Sequence, residues 1–364
     1  MKCILMLAVL LGINGMMWGQ NREILKQNKF NSTTFKNYEI EVKKKWFDSV
    51  KINFPGEVEF IDRRADESKL GFVRMGEENV YYNFIFPDKR IQYINSRFQH
   101  IIKPVKNGGK LQIVIRHMWM SQLITKASFG QAILTGPKGY ISYCYFKADY
   151  YREKDGMVQF AGELDTVISV RKWMGNADDD LMKKTLVSAL SVCNDMLASS
   201  ATNPFYPVSQ LLDSLENQFN YSILKTNEPK KGIYRNYEDF LNDNPLEGDF
   251  EVRKSKAETY LLSNVIDTVV TNAAWGYSDG KDIYKHLNES YYKMNRVQNT
   301  FELAGPRAIR TLFTKEQIFF KTAVSHFLGG ISSGGITLLF LLNDEKIMRE
   351  LVPYQLNIKE GTFY

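Results

Sequence analysis

The sequence predicts an α+β protein: a mostly antiparallel N-terminal sheet with two helices, followed by a small β-rich C-terminal domain. Three observations carry this. Apolar and polar residues alternate along several runs, as in half-buried strands. Aromatic residues make up 13% of the chain, with 20 Tyr and 23 Phe, a composition that leans toward strands. From about Tyr38 strand-like runs dominate, with two helices among them. The 364 residues suffice for two ordinary domains, and 44% hydrophobic with 24% charged residues is a globular composition.

The first segment stands apart from the fold. Lys2 supplies a short positive start, residues 3–17 are apolar apart from Asn14, and the chain turns polar after Gly19. This is the pattern of a secretory signal peptide over 1–19, with an uncleaved anchor as the alternative. Cys3 comes too early to be the lipid-bearing first residue of a mature lipoprotein. Residues 20–37, rich in Asn and Gln, are expected as a flexible lead-in.

The N-terminal domain is expected over 38–200. Residues 58–62 and 70–73 read as strands around a charged turn, 63–69, and residues 80–86 as a third strand. Pro87 and Asp88 then open a helix with Ile91, Ile94, Phe98, Ile101 and Ile102 near one face. Three further strands are predicted over 110–124, 139–153 and 157–172, the last two joined by a turn at Asp155 and Gly156. A long helix follows to about Ala198. Its acidic start at Asp178, Asp179 and Asp180 suits the positive end of the helix dipole better than a metal site. Residues 201–231 are linker-like, with one short amphipathic helix from Val208 to Phe219.

The C-terminal domain, 232–364, is organised around residues 232–307. There aromatic residues alternate with turn formers. Asn236 and Asn242 flank a helical spacing at 237–241, and Ser278-Asp279-Gly280-Lys281 is a hairpin signal. The tail from Val352 reads as strand, turn and short strand. Residues 322–343 contain no Asp, Glu, Lys or Arg and place Gly330 and Gly334 at Gly-x-x-x-Gly spacing. They meet the length of a membrane span, about 20 residues. Ser325, His326, Ser332 and Ser333 oppose insertion, so a buried or membrane-touching segment is expected rather than a true span.

The order GIYRNYEDFLNDNP (232–245), WGYSDGKDIY (275–284) and VPYQLNIKEGTFY (352–364) resembles a family of uncharacterised secreted proteins of Bacteroidota. The resemblance covers the last third of the chain and implies an extracytoplasmic address, in the periplasm or at the outer membrane. It implies no activity. VEFIDRRADESKLG (58–71) is similar to the first hairpin of small envelope lipoproteins of the YajG type, and the order of the N-terminal strands and helices is similar as well. The chain lacks their lipid-attachment cysteine.

Charge and motifs exclude several functions. The net charge of +6 comes from 47 basic and 41 acidic residues spread along the chain, without the clustered basic stripe of a nucleic-acid binder. The four histidines, 100, 117, 286 and 326, show no paired spacing, and neither Cys144 nor Cys193 lies in a Cys-x-x-Cys pattern. No metal site or cofactor is predicted. Cys144 and Cys193 are candidates for a disulfide in an oxidising compartment, with two buried free thiols as the alternative.

Two groups remain as site candidates. Asp279, Asp282 and His286 form the one acid/base cluster that the spacing allows, with turn hydrogen bonding as the plainer role of the two carboxylates. Tyr234, Tyr237, Trp275, Tyr277 and Tyr284 would make an aromatic surface for an envelope protein or glycan, or the core and girdle of a small β module. The expected function is a non-enzymatic binding or assembly factor of the cell envelope. The alternatives are a hydrolase acting on an envelope polymer and a protein anchored in a membrane through 322–343.

Overall fold

The computed structural model describes residues 35–75, 80–87, 91–102, 109–125, 139–172, 177–254, 259–263, 273–287, 290–306 and 351–363. The expected signal peptide, residues 20–34 of the lead-in and the uncharged segment 322–343 lie outside these residues. The fold is β-rich α+β, in two curled sheets with few helices.

The N-terminal half forms β1 (Lys36–Glu39), a 3-10 turn (Lys44–Phe47), β2 (Glu57–Asp62), β3 (Gly71–Met75), β4 (Val80–Ile85), helix α1 (Gln92–Phe98) and a second 3-10 turn (Gln99–Ile101). Three strands of 16 residues follow, β5 (Lys110–Thr125), β6 (Gly139–Lys154) and β7 (Met157–Lys172). Then come α2 (Ala177–Ser191), α3 (Cys193–Ser199), β8 (Phe205–Pro207), α4 (Val208–Asn217) and the single turn α5 (Ser222–Lys225). The sheet runs β1-β4-β3-β5-β6-β7-β8, with β2 also pairing β5. The β6–β7 turn is the one expected: Asp155 and Gly156 both have positive φ, 52° and 74°, which suits a tight two-residue hairpin.

Local sequence explains which face of each long strand is buried. Leu111, Ile113 and Ile115 point toward the helices, and so do Met118 and Met120. Strict alternation would put His117 there instead. A register shift between Ile115 and His117 moves the phase by one residue and keeps the apolar set inward. The opposing layer comes from Ile91 just before α1, Ile94 and Phe98 of α1, Leu181, Leu186 and Leu190 of α2, and Cys193 of α3.

Several sequence expectations are corrected. Lys36 and Asn37 belong to β1, parallel to β4, so the lead-in ends before them. The 58–71 segment is not a hairpin. β2 and β3 lie end to end along one edge of β5, both parallel to it, through Glu57–Lys110 to Asp62–Ile115 and then Gly71–Met120. Gly71 is required at that junction: its φ is +132°, and a Cβ there would lie 1.9 Å from Met120 O. The long helix after Asp178 breaks at Val192. At the start of α3, Asn194 bonds the backbone of Lys51 and Asn53. Residues 201–231 hold more than one helix. β8 pairs with the start of β7, and Leu211 and Leu215 of α4 pack on Val114, Tyr151 and Val158. Cys144 and Cys193 are not bonded to each other. Each is a buried free thiol whose ionisation burial pushes up to about 12.

The C-terminal half forms β9 (Gly232–Tyr234), the short helix α6 (Tyr237–Leu241), a separate hairpin of β10 (Phe250–Lys254) and β11 (Thr259–Ser263), then β12 (Gly276–Ser278), β13 (Ile283–Leu287), β14 (Ser290–Val297), β15 (Thr300–Pro306), β16 (Leu351–Asn357) and β17 (Thr362–Phe363). Its sheet is antiparallel throughout, in the order β17-β16-β15-β14-β13-β12-β9.

The two sheets meet through polar groups. The stretch 63–69, expected as a charged turn, folds inward. Arg64 holds both carboxylate oxygens of Asp62 and the backbone oxygens of Glu67 and Lys69. The β14–β15 turn docks on this loop. Asn299 N donates to Ala65 O at 3.0 Å, and Glu67 N donates to Gln298 Oε1 at 3.0 Å. Lys69 Nζ lies 2.8 Å from Glu302, and Gln355 reaches Asp66. Farther along, Lys147 Nζ of β6 is 2.8 Å from Glu360.

Candidate functional site

The 232–245 stretch builds the inner side of the C-terminal sheet. Asn236 is extended and its side chain accepts from Asp239 N at 2.9 Å, capping α6. Asn242 closes the same helix. The cap fixes Phe240, fully buried, and Phe240 stacks on Trp275 at 4.3 Å. Tyr237 lies over Phe240 at 5.8 Å, and Tyr234 meets it edge-on at 5.7 Å. Tyr234 donates to Asp243, and Tyr237 to the carbonyl of Ile358. Burial holds both phenols above the usual range, helped at Tyr234 by its bond to Asp243. Tyr234, Tyr237 and Trp275 therefore hold the domain together.

Tyr277 and Tyr284 face the other way. Register pairs them directly across β12 and β13, and their rings stack at 4.6 Å and 10°. Tyr291 of β14 meets Tyr277 edge-on at 5.1 Å, and His286 stacks on Tyr291 at 4.7 Å. Phe250 of the β10–β11 hairpin covers Tyr277 from one side at 5.4 Å. The outer layer is thus a run of rings in which Tyr277 is buried and Tyr284, Tyr291 and His286 are partly open. Burial, with Asp279 and Asp282 nearby, pushes the Tyr284 phenol up to about 12.

The hairpin loop holds the two candidate carboxylates. Asp279 Oδ1 accepts from the backbone N–H of Lys281 at 2.9 Å and of Asp282 at 2.7 Å, while Gly280 takes a φ of +93°. This is the Asx-type bonding that closes such loops. Asp279 Oδ2 is 3.5 Å from the Tyr284 hydroxyl. Asp282 is paired with Lys293, 2.7 Å away on β14. Of the predicted acid/base set, the carboxylates sit at one end of the tyrosine layer, and His286 is carried on its other side by Tyr291.

No family model, curated protein or solved structure matches this chain. Among the described residues, no group of three His, Cys, Asp or Glu side chains could hold a metal ion, and no helix is long and apolar enough to cross a membrane.

Sequence reasoning missed three parts of this region. Tyr291 and Lys293 complete the outer layer and become visible once β14 is read as the partner of β13. Lys285 lies on the inner side, 4.4 Å over the Trp275 ring and bonded to Trp275 O at 2.9 Å; burial lowers it to about 8. The third part is the joint at Asp62, Arg64, Asp66 and Lys69. Its one sequence signal was the density of alternating charge in 62–69, which also fits an exposed turn.

Proposed function

We propose that the protein is a non-catalytic binding or assembly factor of the bacterial cell envelope, which holds a glycan on the outer tyrosine layer of its C-terminal sheet. The observation that carries this reading is the layer itself: Tyr284, Tyr291 and His286 are partly open, and their rings are fixed by stacking on neighbours rather than left to rotate. Pre-set aromatic rings contribute contact area at little entropic cost. Their faces suit the C–H side of a sugar ring. The carboxylate of Asp279 and the Asp282–Lys293 pair stand at the edge, where hydroxyl groups would be met. The exported character rests on the 1–19 signal pattern and on the resemblance to secreted proteins. The bonds that Asp279 and Asp282 make in the loop favour binding over hydrolysis, because a proton-exchanging carboxylate must be free to meet its substrate.

The test is affinity electrophoresis and fluorescence titration of the mature chain with solubilised envelope glycans. Tyr284→Ala with Tyr291→Ala should weaken binding by about 10- to 100-fold, the scale of losing a central aromatic contact. Retention that is unchanged in this double variant, with thermal unfolding also unchanged, would remove the tyrosine layer from the account.

A further inference from the structure

Among the described residues, the larger sheet leaves one long edge without a partner strand. β7 pairs with β6 along its whole length, but on its other side β8 covers only Met157, Val158 and Gln159. Beyond them, residues 161–172 have no strand partner among the described residues. The backbone phase of this edge can be followed. Val208 N donates to Gly156 O, and Asn203 Nδ2 donates to Phe160 O, so the even-numbered groups point outward up to Phe160. The register shift between Phe160 and Gly162 then changes the phase. From Glu163 the odd-numbered residues, Glu163, Asp165, Val167, Ser169 and Arg171, turn their N–H and C=O groups away from β6. The bond from Lys184 Nζ to Ser169 O at 3.1 Å agrees with this phase.

We infer that this edge pairs with the same edge of a second copy, antiparallel, joining two sheets across a two-fold axis at Val167. An outward residue can meet only another outward residue, so the register is restricted to odd-with-odd pairs. Centred on Val167, the pairing sets Asp165 opposite Ser169 and Glu163 opposite Arg171, each twice by symmetry. The charge order of the strand selects this partner. Its sequence is acidic at the start, Glu163 and Asp165, and basic at the end, Arg171 and Lys172. Self-pairing in the antiparallel sense brings unlike ends together, whereas a parallel partner of the same sequence would align like charges. At the acidic end, Glu163 and Asp165 both lie beside the ammonium of Lys147, at 3.8 and 3.0 Å. Glu163 and Asp165 are exposed, and Thr166, Val167 and Ser169 are partly so. The same charges could instead guard a bare edge against pairing, and the two accounts predict opposite results.

Sedimentation equilibrium of the mature chain over a wide concentration range decides between them. The wild type should form a dimer, Val167→Pro should abolish it by removing the central donor, and Lys184→Ala should tighten it by freeing the Ser169 carbonyl. Because a proline in β7 can also disturb folding, Glu163→Arg provides a second probe. It should shift the protein to monomer, and adding Arg171→Glu should restore the dimer. A wild type that stays monomeric, or a dimer that is insensitive to Glu163→Arg or not restored by the double change, overturns the inference.

Discussion

The joint between the two sheets rests on an ion pair that is almost out of reach of water, and Lys69→Met tests it most directly. Lys69 Nζ stands 2.8 Å from Glu302 and 4.0 Å from Asp66, with the two members of the main pair 12% and 14% exposed. It also lies 4.7 Å over the Phe72 ring. Methionine keeps the length and the apolar stem but removes the charge. Glu302 is then left beside Asp66 with Gln355 as its remaining donor. Breaking a buried pair from one side costs about 3–5 kcal/mol, and the residual exposure places this case near 3 kcal/mol, roughly a hundredfold in the folding equilibrium.

The pH dependence has a definite sign. Burial already holds the Glu302 carboxyl above its usual range, with Lys69 drawing it down. Without Lys69 it rises further, so the folded state keeps a proton that the unfolded state releases. Stability then falls as pH rises from the ordinary carboxylate value through the raised one. The deficit of Lys69→Met should therefore be largest at neutral pH and shrink on acidification. Adding Glu302→Gln removes the stranded charge and should recover about 1–3 kcal/mol, a coupling within the usual range for contacting residues. Urea unfolding followed by tryptophan fluorescence measures the wild type, Lys69→Met, Glu302→Gln and the double variant. A single variant within about 0.5 kcal/mol of wild type, the range of an ordinary surface change, or costs that simply add in the double variant, would refute the reasoning.

Two further outcomes are expected. His117 is buried and lowered to about 3 by burial first, then by Arg64 and Lys147. It is neutral when folded, so the stability it contributes is present above about pH 6.5 and should drop by about 2 kcal/mol between pH 6.5 and 5. His117→Phe, which keeps a ring against Tyr145, should flatten that part of the stability–pH curve; an unchanged slope would show that another group governs it. Asn236→Ala removes the cap of α6 and should cost about 1 kcal/mol. Asn236→Asp should restore most of it, and equal losses in both variants would mean that the cap bond to Asp239 is not what holds the helix.

Strand content was legible because its signals are local. Alternation located β5, β6 and β7 within a residue or two, Asp155-Gly156 marked the turn between the last two, and helical spacing at 237–241 marked α6. Phase and partnership were not local. His117 sits at a position that simple alternation assigns to the helix side, and only the shift beside Arg116 reverses it. The end-to-end placement of β2 and β3 on β5 was read as a hairpin, because two nearby strand signals look the same whether they pair with each other or with a third strand.

The sequence by itself determined that this is a β-rich α+β chain, where its three long strands lie, and which aromatic residues crowd the C-terminal half. The tertiary structure decided what those residues do. Tyr234, Tyr237 and Trp275 fell on the inner side of one sheet and Tyr277 and Tyr284 on the outer, because strand pairing and the helix cap set the face of each ring. Asp279 and Asp282 became loop and ion-pair residues for the same reason. The charges of 63–69, written as an ordinary turn, became a buried joint only because the β14–β15 turn arrives there from more than two hundred residues away. A periodic pattern states which side of a strand is apolar; what that side meets depends on contacts distant in sequence, which no local pattern records.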